Sequence, residues 1–218
     1  MTRYFRLTFI CIFILSCSST QDCLDGINLL PMFGGKPKCK EQLESDRQFL
    51  VESDLKFKNR KKASQFHVDN GWTYFYKKDL ETSMKRFNQA WLLDSLNADV
   101  YWGFGNILGT KQEFESSIPL LEKSIKLNPN NPKVYQSIAS SYGQMFFKTQ
   151  NIDLLNKTVD NLKNVVRLEP ENASAYGQLT GAYSYFYQKD SANKYLEITD
   201  KLDPKAVNPE VRRMLRKK

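Results

Sequence analysis

His67 is the one histidine in 218 residues, and it is the only side chain here whose unperturbed pKa lies near neutrality. General-base chemistry would have to start there, and it would need a nucleophile and an orienting partner at matched spacing. No HExxH, GxSxG or glycine-rich phosphate loop occurs anywhere in the chain. Metal chemistry has no better footing, because Cys23 and Cys39 have no nearby histidine or second cysteine pair at zinc-site spacing. The sequence therefore predicts no catalytic residue, no metal site and no small-molecule cofactor. It is read as a protein that is not an enzyme. What remains is the chemistry of recognition: aromatic side chains make up 13% of the chain, and many of them stand among Asn and Gln.

All four cysteines, Cys11, Cys17, Cys23 and Cys39, fall near the N-terminus. Arg3 and Arg6 precede a charge-free, mostly apolar run, Leu7 to Leu15, and small residues follow it. That is the layout of an export signal. The run is shorter than the roughly 20 residues a bilayer span requires. Ile14-Leu15-Ser16-Cys17 resembles the lipobox of bacterial lipoproteins, although Leu15 is bulkier than the Ala or Ser usual at its position. The resemblance implies removal of residues 1–16 and acylation of Cys17; the alternative is an ordinary cleaved leader with a chance cysteine. Export would leave Cys23 and Cys39 as a pair in an oxidising compartment, able to close a loop over Leu24 to Lys38. That loop contains Gly34-Gly35 and lacks helical periodicity. Its other reading is a flexible tether with two free thiols.

The elements that would position the aromatic and amide side chains are read from internal repetition. Four punctuation segments are alike: Leu93-Asp94-Ser95-Leu96-Asn97-Ala98, Leu127-Asn128-Pro129-Asn130-Asn131-Pro132, Leu168-Glu169-Pro170-Glu171-Asn172-Ala173 and Leu202-Asp203-Pro204-Lys205-Ala206. Their first residues are 34, 41 and 34 positions apart. Each ends one helix and opens the next, since proline cannot continue a helix and Asn or Asp suits the turn and cap. Between them, small residues recur at Gly71, Gly105, Ala139 and Thr180, with large ones three positions later at Tyr74, Leu108, Tyr142 and Tyr183. The second halves repeat Ser83, Phe87 and Ala90 as Ser117, Leu121 and Ser124, then Thr158, Leu162 and Val165, then Ala192, Leu196 and Thr199. A small residue at a crossing point lets two antiparallel helices approach while large residues fill the adjoining gaps.

This pattern resembles the tetratricopeptide repeat family over about two-thirds of the chain. The resemblance implies an all-α fold, an α-solenoid of antiparallel helix hairpins, with N- and C-terminal capping helices closing its ends. The expected division is a leader over 1–16, a lipid-anchored tether and possible disulfide loop over 17–40, and an N-terminal helix over 41–62. Four repeats over 63–205 follow, the third lengthened by seven residues, and then a capping helix and basic tail over 206–218. Pro119 is placed near the start of a helix, where its missing amide costs little.

In the family, function comes from the concave face built by the first helix of each hairpin. Carrying over the inward-facing offsets assigns it Gln65, Val68, Asp69, Trp72, Phe75 and Tyr76, then Asp99, Trp102, Asn106 and Thr110. Lys133, Gln136, Ser140 and Gln144 follow, and after them Ser174, Gly177, Gln178, Gly181 and Tyr185. The partner-binding candidates are Trp72, Phe75, Tyr76, Trp102, Asn106, Lys133, Gln136 and Tyr185. Trp72 and Phe75 could alternatively pack against the N-terminal helix. Some family members hold a partner's C-terminal acid with a Lys and Asn clamp; Trp102 and Ser137 replace the expected residues here, so that mode is not expected. The net charge of +8 is concentrated in Lys56 to Lys62 and Arg212 to Lys218, which suits anionic headgroups, the steering of an acidic partner, or simply a solvated face. The expected function is a protein-interaction scaffold of the bacterial envelope, held at the periplasm-facing outer membrane through the lipid on Cys17, and not a nucleic-acid binder. An exported module that recognises glycan or polymer chains through the aromatic groove is the rival.

Overall fold

The computed structural model describes residues 22–186 and 188–216; the leader expected over 1–16, Cys17, Lys217 and Lys218 lie outside the described residues. The helices are α1 (Lys40–Lys56), α2 (Arg60–Tyr76), α3 (Leu80–Leu93), α4 (Ala98–Thr110), α5 (Phe114–Leu127), α6 (Pro132–Thr149), α7 (Ile152–Leu168), α8 (Ala173–Tyr185), α9 (Lys189–Leu202) and α10 (Pro209–Arg216). The fold is an all-α solenoid in which α2–α3, α4–α5, α6–α7 and α8–α9 form four hairpins stacked in chain order. First helices touch one another, α2 to α4 and α4 to α6, whereas no comparable contact joins α3 to α5 or α5 to α7 among the described residues. The first-helix side is therefore the concave side.

The recurring asparagines start the helices. Asn97, Asn131 and Asn172 accept the amide N–H groups of Asp99, Lys133 and Ala175 at 3.0, 3.1 and 2.9 Å, which satisfies donors that a helix N-terminus leaves free. The turns inside the first two hairpins are closed by Lys78 and Gln112, both left-handed at φ 66° and 64°. The next amides, of Asp79 and Glu113, reach back to the carbonyls of Tyr74 and Leu108 at 3.1 and 2.9 Å. Each of these hairpins is then pinned at its crossing. The Ser83 hydroxyl donates to the Gly71 carbonyl at 2.8 Å, and Ser117 donates to Gly105 at the same distance. A Cβ on Gly105 would lie 2.6 Å from Leu121, so the close approach needs glycine there.

In the third hairpin, α6 has 18 residues and α7 has 17, against 13 and 14 in α4 and α5. One extra turn on each side keeps both apolar faces inward. Pro119 does not sit in the first turn of α5. It is the sixth residue of that helix, so it removes one internal hydrogen bond.

The N-terminal region departs from the expectations. The helix expected over 41–62 is broken: α1 ends at Lys56, Phe57 is extended, and Asn59 caps α2 by accepting the Lys62 amide at 2.9 Å. Phe57 turns back onto Phe66 with ring centroids 5.3 Å apart, which fixes the break. Within the expected tether, residues 22–39 are packed, not loose. Ile27 and Phe33 are buried, and the Asn88 amide group of α3 donates to the carbonyls of Asn28 and Leu30, both at 2.9 Å. Phe33 meets the Trp91 ring edge-on at 6.3 Å. Met32 and Phe33 hold left-handed φ values of 51° and 57°, a conformation costing non-glycine residues about 1–2 kcal/mol each. Burial of the Phe33 ring offsets this.

Cys23 and Cys39 are joined by a disulfide across a sequence separation of 16. Cys39 is buried and caps α1, so the bond ties the packed segment to the start of that helix. A loop of this size contributes about 3 kcal/mol in the chain-entropy account. Cys39→Ser is expected to lower stability by about that amount. Denaturant unfolding of both proteins checks it, and equal midpoints would contradict a structural role for the bond.

At the other end, α10 packs on α8 and α9 with Val207 and Val211 buried, and Arg212 pairs with Asp200. The basic C-terminal cluster is thus partly spent on closing the solenoid.

Candidate protein-binding groove

The first helices α2, α4, α6 and α8 set the candidate residues in a row. Trp72 of α2 and Trp102 of α4 meet with ring centroids 4.3 Å apart at 49°, and both are half-buried. Trp72 rests edge-on over Phe87 of α3 at 5.5 Å. It does not pack on α1. Tyr76 stands 6.0 Å from Trp72 and is 72% exposed, one turn further along the same face. The Trp102 indole N–H donates to the Ser137 hydroxyl of α6 at 3.1 Å, and that hydroxyl shares its one proton between the Asn106 side-chain carbonyl at 3.2 Å and the Lys133 carbonyl at 3.0 Å. Asn106 closes the set by donating to the Trp102 backbone carbonyl at 2.8 Å. Two aromatic faces are thus held at fixed angles by a polar brace.

Beyond the brace the surface turns to amides. Gln136 of α6 donates to Gln178 of α8 at 2.8 Å. Tyr76, Trp102, Lys133, Gln136 and Ser137 line one hollow of about 290 Å³. Asn106, Thr110, Gln136, Ser140 and Gln144 line an adjoining one of about 560 Å³. Ser137 and Gln136 belong to both, so the two form a continuous groove. At its N-terminal lip the Asp99 carboxyl titrates above the usual range because it is partly buried, and because the Asp69 charge lies near it; Lys133 opposes the shift.

Several expected groove residues lie elsewhere. Val68 is 1% exposed and belongs to the core under the first two hairpins. Phe75 is half-buried against that same core as Trp72 is, edge-on to Trp72 at 5.3 Å and beside Tyr76 at 5.7 Å. Gly177 faces the C-terminal segment, where the Ala206 backbone leaves no room for a side chain. Tyr185 is separate from the tryptophans: it joins Phe146 and Phe147 at 5.8 and 5.5 Å, around a second hollow that Val211 of α10 also lines. Sequence reasoning placed Ser137 at a clamp position but counted it only as a replacement, not as the residue that couples Trp102 to Asn106. Its signal was its position, one repeat beyond the Trp102 turn on the inward side of α6.

His67 is only 8% exposed and sits between Phe49 and Phe66, at 5.3 and 5.4 Å. Burial, and then the nearby Arg86 charge, lower its pKa to about 4, against a smaller opposing hydrogen bond with Gln89. The unfolded chain therefore binds a proton between pH 6.5 and pH 4 that the folded chain refuses, and stability falls as pH drops through that window. The expected loss between pH 7 and pH 5 is about 2 kcal/mol, and His67→Gln removes it. Urea midpoints at the two pH values check this; a wild type insensitive to pH would contradict it. Glu41 lies beside Cys23 and Cys39, but bonded sulfurs offer no thiolate to a metal.

Residues 98–131, which span α4, α5 and the cap of α6, match the tetratricopeptide repeat family. A search of curated protein sequences returns no significant match. Among solved structures, a MamA crystal structure aligns at 20% identity with a TM-score of 0.57, covering 65% of this chain and 79% of that one. The thermophilic TPR protein TTC0263 of Thermus thermophilus aligns at 15% identity and 0.55, covering 70% and 79%. MamA from Desulfovibrio magneticus RS-1 aligns at 15% and 0.55, covering 65% and 76%. These likenesses concern the fold. Residues 98–131 thus carry one tetratricopeptide repeat by sequence, and the hairpins around it share the fold of such repeats.

Proposed function

We propose that this protein is a non-catalytic interaction scaffold of the bacterial cell envelope, and that it holds an extended segment of a partner protein in the concave groove. The braced Trp72–Trp102 pair beside exposed Tyr76 carries the proposal. Rigid rings give contact area at small entropic cost, and the amides of Asn106, Gln136 and Gln178 can exchange their internal bonds for main-chain groups of a peptide. Glycan recognition is less well supported, because Trp72 and Trp102 are both half-buried against each other and against the core.

The envelope assignment rests on the leader and on Cys17, and the Cys23–Cys39 bond suits an oxidising compartment facing the periplasm. No helix among the described residues is long and apolar enough to cross a membrane. Attachment is assigned to acylation of Cys17 on the strength of the lipobox-like run Ile14-Leu15-Ser16-Cys17. Mass spectrometry of the mature N-terminus tests it: a diacylglyceryl-modified peptide starting at Cys17 is expected, and an unmodified start beyond Cys17 would contradict it.

A further inference from the structure

The α1–α2 junction carries an unusual surface. Leu55 is 83% exposed, Phe66 51%, Val51 55% and Leu43 53%. Around the first two stand Lys56, Lys58, Lys61 and Lys62, all exposed. Among the described residues none of these four lysines has a carboxylate within ion-pair distance, whereas Arg60 is paired with Asp54 at 2.8 Å and Arg47 with Glu44 at 3.2 Å. Of the five acids of α1, Glu44, Asp46 and Asp54 are matched by Arg47, Lys38 and Arg60. The junction keeps a net positive charge around apolar side chains that nothing in the fold covers.

We propose that this junction rests on an anionic lipid surface, with Leu55 entering the headgroup layer and the four lysines pairing with lipid phosphates. Two observations select a bilayer over another occupant. An exposed apolar residue beside four unpaired lysines at one helix junction fits a layer of charge over hydrocarbon better than it fits the face of a folded acidic protein. The chain also leads there. Cys23 follows Cys17 by only six positions, a reach of about 20 Å. Cys23 is bonded to Cys39 at the start of α1, and α1 is 17 residues or about 25 Å long. A lipid on Cys17 holds one end of α1 near the membrane, and the lysines hold the other. The row Leu43, Arg47, Val51 and Leu55 runs between the two points on the outer side of that helix. For its first contact this inference rests on the anchored reading above. The lysine contact is independent of it. The consequence for recognition is orientation: the solenoid would stand on its N-terminal end, with the groove facing sideways into the compartment.

The test uses the mature protein purified from cell membranes and mixed with vesicles of pure phosphatidylcholine or of phosphatidylcholine with phosphatidylglycerol. Flotation reports attachment, and acylation of lysines by a water-soluble reagent, read by mass spectrometry, reports the junction. Lys56, Lys58, Lys61 and Lys62 are expected to react at least about tenfold more slowly on the anionic vesicles, with Lys126 and Lys194 unchanged. In Lys58→Glu/Lys61→Glu, and separately in Leu55→Asp, the protection of Lys56 and Lys62 is expected to disappear; all three positions are exposed, so the fold is retained. Flotation with both vesicles and equal lysine labelling overturns the junction while leaving the anchor. Flotation with anionic vesicles alone overturns the anchor while leaving the junction. No flotation with either overturns both. Protection by soluble polyglutamate as strong as that by anionic vesicles shows an acidic-protein surface and also overturns the proposal.

Discussion

Phe87→Ala is expected to lower the unfolding free energy by about 3–5 kcal/mol, among the largest costs of a single side-chain truncation. The ring is fully buried and meets Trp72 and Phe104 edge-on at 5.5 and 6.1 Å. It occupies a slot whose walls are two glycines on different first helices. A Cβ on Gly71 of α2 would lie 2.8 Å from it, and a Cβ on Gly103 of α4 would fall inside the ring's van der Waals surface. Glycine walls have no side chains that could move in to fill the space, so the cavity left by alanine persists. The same slot predicts that Gly103→Ala is also strongly destabilising, in contrast to alanine at an ordinary helix glycine. Chemical denaturation followed by circular dichroism measures both, and a cost below about 1 kcal/mol for Phe87→Ala would show that the slot collapses.

Trp102→Ala is expected to weaken partner binding by about a hundredfold, the scale of a buried aromatic hot spot. The substitution removes half of the tilted ring pair and the donor to Ser137. Ser137 keeps its bond to the Lys133 carbonyl at 3.0 Å, so the brace loses its ring with little loss of helix structure. Trp91→Ala is the informative control. Trp91 lies on α3 against Phe33 and donates to the Tyr101 hydroxyl at 3.2 Å, away from the groove. Its loss should cost stability and leave affinity for the partner unchanged. Titration of the isolated partner against the three proteins checks this, and equal weakening by Trp91→Ala would mean that stability, not the groove, governs binding.

The repeats were legible because the same contact recurs at the same spacing: Ser83 with Gly71 and Ser117 with Gly105 are one crossing used twice. The caps were legible for the same reason. Facing was harder to read. Val68 and Trp72 are one turn apart on α2, yet one is core and the other is groove, because helical spacing sets a stripe and leaves its edge open. The hairpin turns at Lys78 and Gln112 carry no glycine, so nothing local marked their left-handed backbone. The α1–α2 break lacks glycine and proline as well, and it depends on Phe57 meeting Phe66. The folding of residues 22–39 depends on Asn88, which reaches carbonyls 58 and 60 residues earlier; no local pattern reports a contact of that range.

The central claim is that the concave face holds a protein partner, and site-specific photo-crosslinking in the native cell tests it most directly. A photoreactive residue is placed in turn at Gln136 and Gln178 in the groove, and at Lys123 and Glu197 on the second helices α5 and α9. Both groove positions are expected to crosslink the same envelope protein, with that product lost in Trp102→Ala and absent from Lys123 and Glu197. A product of equal yield from all four positions, or one formed only from α5 and α9, would contradict the account.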